Sequence, residues 1–179
     1  MLKKILLVIA ALGAVLLVVV ALQPSEFRVT RTATIAAPPA VVFAQVNDFH
    51  NWEAWSPWAK LDPDARETFE GSSAGTGAIF RWAGNAQVGQ GSMTLIENQP
   101  SALIRIKLEF LKPFKAVNIA EFAFQPQDQD TVVTWSMAGR NNFLGKAIGL
   151  VMNCDKMVGG QFEQGLAQLK TVAEAVPNT

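Results

Sequence analysis

Three tryptophans recur at every third position, Trp52, Trp55 and Trp58, within the stretch FHNWEAWSPW. Residues three apart share one side of a helix, and each indole offers a large apolar surface with a single N–H donor. Such a side can form a wall or lid over a cavity for an apolar molecule, or it can fill a core between helices and a sheet. Further large apolar residues alternate along strand-like segments. Phe80 and Trp82 form one set, Met93 and Leu95 a second, and Ile106, Leu108 and Phe110 a third. Phe122 with Phe124 and Trp135 with Met137 complete the series. Packed solid, these residues are a core; around a void they line a ligand pocket, whose walls are mostly apolar with a few polar groups. Asn118 shares a parity with Ala116, Ala120, Phe122 and Phe124. Its amide needs partners in such surroundings, either a ligand carbonyl or hydroxyl, or a backbone group or water.

The usual nucleophile and metal sets are missing from the sequence. Asp155 stands beside Cys154 at the start of a helical segment, where a carboxylate suits capping and the helix dipole. Work as a general base would require a raised pKa and a substrate within reach. Cys154 as a nucleophile needs an adjacent base, and the single histidine, His50, is distant in sequence; an inert thiol is expected. One cysteine excludes an intrachain disulfide, and one histidine with one cysteine makes no zinc-type cluster. There is no nucleotide-binding glycine fingerprint. The glycines of 71–77 and 84–91 fall between strands and read as turns or bulges. Neither a metal nor a cofactor is expected. Fifteen basic and fifteen acidic residues, without a basic stripe, give nucleic-acid binding no electrostatic support.

These residues must be positioned by a small set of elements. FRVTRTATIA, residues 27 to 36, alternates Phe27, Val29, Arg31, Ala33 and Ile35 against Arg28 and three threonines, the pattern of a half-buried strand. Pro38-Pro39 breaks it, and Val42, Phe43 and Val46 then recur at helical spacing. Residues 48 to 58 predict a second short helix closed by Pro57. From residue 67 the period becomes two, with strands expected at 67–71, 76–83, 88–98, 101–111, 115–125 and 131–139. Short turns between them predict an antiparallel meander. Phe143 to Met152 is a helical lead-in. Val158, Phe162, Leu166, Leu169 and Val172 or Ala173 then mark the apolar stripe of a main helix. The fold class is α+β, and the final helix is the one element long enough to close the dry face of the sheet.

Before this domain, every residue from Ile5 to Leu22 is apolar apart from Gly13. As a helix these residues span roughly 27 Å, close to a hydrocarbon core of about 30 Å. A cleaved signal peptide competes with this reading, but the run exceeds the usual apolar region and Val19-Val20-Ala21 is a poor cleavage triplet. A buried soluble helix would show a polar face. The expected organisation is a transmembrane anchor in 1–24 and one domain in 27–179. Lys3 and Lys4 favour a cytoplasmic N-terminus with the domain on the outer face, although Arg28 and Arg31 follow the span.

The chain resembles the START-like (SRPBCC) superfamily, and more closely its polyketide cyclase/dehydrase-related branch. The resemblance rests on Ile35-Ala36-Ala37-Pro38-Pro39-Ala40-Val41-Val42-Phe43, on Phe49 to Trp58, and on the helix around Phe162 to Leu169, and it covers 27 to 175. It implies a helix-grip fold, a curved antiparallel sheet wrapped around the long C-terminal helix. Between the two it implies a cavity for a hydrophobic or amphipathic, lipid-like molecule, closed by Phe162 from the helix side. The branch includes cyclases and dehydrases as well as lipid carriers, and it has no invariant catalytic set to carry over. The expected function is membrane-anchored binding of a small hydrophobic molecule or lipid. A cyclase/dehydrase-type enzyme acting on a polyketide-like substrate, or an interaction domain without a ligand, are the alternatives. The sequence leaves oligomeric state open.

Overall fold

The computed structural model describes residues 1–150 and 154–176. Helix α1 (Leu2–Leu22) leads into strand β1 (Glu26–Ile35) and helix α2 (Pro39–Asn47). A 3-10 helix (Phe49–Ala54) follows, and then the six-strand meander. Its strands are β2 (Arg66–Gly71), β3 (Ala78–Ala83), β4 (Gln90–Gln99), β5 (Leu103–Lys112), β6 (Ala116–Gln127) and β7 (Asp130–Arg140). Helices α3 (Phe143–Gly149) and α4 (Cys154–Glu174) end the chain. The seven strands form one antiparallel sheet in the order β1-β7-β6-β5-β4-β3-β2. The first strand therefore closes back onto the last, leaving β1 and β2 as the edges.

Alternation decides which face is dry. Along β5, Ile104 and Ile106 are fully buried, while Arg105 on the opposite face pairs with Glu97 and Glu121 at 2.7 Å. Helix α4 closes the dry face with the stripe expected of it: Phe162, Leu166, Leu169 and Ala173 are buried. Each large apolar side chain removed from water there contributes about 1.5–3 kcal/mol. Polar residues beside the stripe tie α4 to the edge strand β1. Lys170 donates to the Thr34 carbonyl (2.9 Å), and the Ala36 N–H donates to Glu174 (2.7 Å).

The tryptophan segment differs from the expected helix over 48 to 58. It is a 3-10 turn that stops at Ala54, because its side chains and backbone are committed to finishing α2. A helix end leaves its last four carbonyls without partners. Here Asn51 Nδ2 donates to the Ala44 carbonyl, Trp55 Nε1 to that of Gln45, and Trp52 Nε1 to that of Val46. The Gly75 N–H reaches the carbonyl of Asn47 at 2.9 Å. In a 3-10 turn residues three apart eclipse, which brings the Trp52 and Trp55 rings together, centroids 4.5 Å apart and tilted by 48°.

Two glycines of α4 behave oppositely. A Cβ at Gly165 would lie 2.7 Å from the Trp135 ring and 3.1 Å from Pro57, whereas nothing approaches one at Gly160 within 4 Å. Gly160→Ala should therefore stabilise by roughly 0.5–1 kcal/mol through backbone entropy. Gly165→Ala should destabilise by about 1–3 kcal/mol, because a rigid ring must move. Denaturant unfolding of the detergent-solubilised chain checks both signs.

Candidate functional site: an apolar trough beside α4

The inward-facing residues divide into two zones. Trp55, Phe122, Trp135 and Phe162 form a closed aromatic layer in which no ring is more than 2% exposed. Trp135 stacks on Phe162 with centroids 4.0 Å apart and on Phe122 at 4.7 Å. Trp52 joins edge-on to Phe122 and Trp135, and Ile106 is fully buried on the same side of the sheet. Trp58, half-buried, meets Trp135 and Phe162 edge-on. These members of the expected lining fill space against each other. The Trp135 N–H finds no acceptor among the described residues.

The second zone lies toward the strand ends nearest α1. Its Phe80, Trp82, Met93, Leu108 and Phe110 face inward yet are only half-buried. The reason is the reach of α4, whose side chains bind β1 from Arg31 to Ala36 and leave the beginning of that strand to Phe27, itself half-buried. The result is an apolar trough on the inner face of the sheet, beyond the part of α4 that binds β1. Trp82 is fixed by its N–H to the Val88 carbonyl (2.9 Å) and lies flat over Gly91, where a Cβ would meet the ring at 2.6 Å. Phe110 abuts Trp82 edge-on, and Phe80 stacks beside it.

Asn118 supplies the polar group of this zone. It is 7% exposed, as is Met137, and its amide contacts the Met137 sulfur at 3.8 Å. Gly139 makes room for it: a Cβ there would collide with Asn118 Oδ1. Among the described residues no Asp, Glu, His, Lys or Arg is buried. None of these residue types clusters in a group able to hold a metal either.

The ionisable groups lie at the margins. Glu67, opposite Trp82 in register, has its carboxyl pushed up by partial desolvation and then by the negative charge of Glu53. His50 stacks on Phe69 and bonds Asp48 at 2.7 Å, so it is turned to a local turn. Asp155, for which a capping or surface role is expected, lies exposed in the first turn of α4 and pairs with Arg31, which also takes Glu163 at 2.6 Å. Gly159 lets the guanidinium lie against α4, since a Cβ there would overlap it. The side chain of Cys154 and residues 151–153 lie outside the described residues. Neither Arg31 nor Glu67 was singled out from sequence. Arg31 carried a usable signal, a cation on the dry parity of β1 with two acids eight residues apart on the final helix.

The hydrogen bond from Arg31 holds the Asp155 carboxyl below its usual range. A carboxylate lowered in the folded state stabilises fully above its unfolded pKa of about 3.9 and loses that contribution as pH falls through the lowered value. The stability difference between the wild type and Asp155→Asn should thus be constant at neutral pH and shrink below about pH 4. Urea unfolding at a series of pH values measures it.

Residues 26–174 match the family described as polyketide cyclase / dehydrase and lipid transport. The chain belongs to this family. No curated protein matches the chain significantly. Among solved structures, protein CV1439 from Chromobacterium violaceum superposes with a TM-score of 0.60 at 16% identity, covering 86% of this chain and 100% of its own. Aha1 from Colwellia psychrerythraea, solved as a dimer, gives 0.60 at 11%, with 83% and 97% covered. The di-domain ARO/CYC BexL of the BE-7585A biosynthetic pathway gives 0.61 at 19%, covering 89% of this chain and 53% of BexL. At these identities the likeness shows the fold alone, which is that of a helix-grip domain. Family membership, with its cyclase, dehydrase and lipid-transport description, agrees with the apolar character of the trough.

Proposed function

We propose that residues 27–179 bind a hydrophobic or amphipathic, lipid-like molecule in the apolar trough, and that residues 1–24 anchor this domain in a membrane. The observation that carries the reading is the lining. Half-buried Trp82, Met93, Leu108 and Phe110 share the inner face of the sheet with the buried amide of Asn118, opposite Leu108 in register, and no ionisable group is buried among the described residues. Such a surface offers apolar contact and one orienting hydrogen bond, the composition of a small-molecule site, and little acid/base chemistry. The anchor reading is supported by α1, a helix long and apolar enough to cross a bilayer. Lys3 and Lys4 beside the span favour a cytoplasmic N-terminus.

Mass spectrometry of organic extracts from the purified full chain tests the binding reading. A lipid-like species in near-stoichiometric amount is the expected result. Its absence, together with failure to bind fluorescent acyl analogues, rejects the reading. The upward shift of Glu67 at the rim favours a second one, a cyclase/dehydrase-type enzyme using that carboxyl as acid. It requires turnover of a polyketide-like substrate that Glu67→Gln abolishes, and unchanged turnover in that variant removes the assignment.

A further inference from the structure

The end of the sheet at which the trough opens is also where α1 arrives. The last turns of α1 are held against the domain: Val20 is buried, Lys146 of α3 donates to the Ala21 carbonyl at 3.2 Å, and the Asn141 N–H donates to that of Ser25 at 2.7 Å. A helical turn rises about 5.4 Å, so any surface beside these contacts lies within a turn or two of the end of the apolar helix.

That surface is apolar and basic at once. Leu111, Phe114, Val117, Phe143 and Leu144 are each roughly half exposed (48–56%), on the end of β5, the β5–β6 turn, the start of β6 and α3. A groove of about 360 Å³ runs between these elements, with Lys115 and Arg140 beside Phe114, Val117, Leu144 and Ile148. From Phe110 to Ala120, and again from Ala138 to Leu150, there is no acidic residue. Among the described residues none of Lys112, Lys115 and Arg140 takes part in an ion pair. Exposed apolar groups flanked by cations at the exit of a membrane helix match the interface of a bilayer. Apolar side chains enter the acyl boundary there, and basic ones meet anionic headgroups.

We infer that the β5–β6 turn and α3 form a collar that docks on the anionic surface of the bilayer crossed by α1, holding the mouth of the trough against the lipid. The inference rests on the anchor reading. The collar and the trough share one end of the sheet: Phe110 and Asn118 line the trough on the inner face, and their strand neighbours Leu111 and Val117 stand on the outer face beside the same β5–β6 turn. An apolar ligand could then pass between bilayer and trough without crossing water.

The test uses the full chain with Cys154→Ser, reconstituted in vesicles of phosphatidylcholine with and without phosphatidylglycerol. A fluorophore is placed in turn on Phe114→Cys, on Val15→Cys within α1, and on Asp128→Cys at the opposite end of the sheet. Docking predicts that the label at 114 is quenched by headgroup-level lipid nitroxides and shielded from aqueous iodide in anionic vesicles, while that at 128 stays open to iodide. Lys115→Glu should weaken the docked state by about fivefold or more, and neutral vesicles should do the same. Equal iodide access at 114 and 128, with the label at 15 still in lipid, overturns docking and leaves the anchor intact. A label at 15 open to iodide overturns the anchor and docking together. Shielding of 114 from both quenchers assigns the collar to a second copy of the chain and also overturns the inference.

Discussion

Replacing Trp55 with alanine should lower the unfolding free energy by about 3–5 kcal/mol, the range for deleting a buried aromatic ring. Its side chain is fully buried in contact with Trp52, Phe122 and Trp135, so the layer cannot relax into solvent. The change also takes the N–H from the Gln45 carbonyl at the end of α2. Trp55→Phe separates the two effects. It keeps most of the ring contact and leaves the carbonyl unpaired, at a cost of about 1–3 kcal/mol. Trp135→Phe provides the contrast, because its indole N–H has no acceptor among the described residues, so no hydrogen bond to them is lost. Denaturant midpoints of the three variants, compared at equal slopes, decide the matter. A Trp55→Ala protein as stable as the wild type would mean that the aromatic layer is not closed.

Filling the trough should abolish ligand retention while leaving the fold intact. Met93 lies between Phe80 and Leu108 in register and is half-buried. Met93→Trp therefore expands into open space, whereas the same enlargement at Ile106 would strain a sealed position. A clash of about 1–3 kcal/mol with a bound molecule lowers affinity by roughly five- to 150-fold. The extracted lipid-like species should fall accordingly, with the unfolding midpoint preserved. Full retention of ligand in Met93→Trp would place the binding site elsewhere.

Strand parity along β5, the apolar stripe of α4 and the uninterrupted run of α1 were all readable because burial imposes periods of 2 and 3.6 on a sequence. Turn residues fixed the meander for the same local reason, and the strand limits shifted by only a few positions. The candidate lining was legible as a list of inward-facing residues. The division of that list was not. Trp52 and Trp82 carry the same chemistry, yet one is sealed and the other lies on an open slope. The difference comes from where α4 crosses the sheet, and that crossing is set by contacts more than a hundred residues apart, such as Arg31 with Asp155 and Glu163.

By itself, then, the chain's order of residues determined which side chains turn inward, because that depends on neighbours two to four positions away. Where β1 docks, how the indoles finish α2, and which inward residues remain open were decided only by tertiary structure. Each of these depends on pairings between distant segments, for which no single stretch of sequence carries a period.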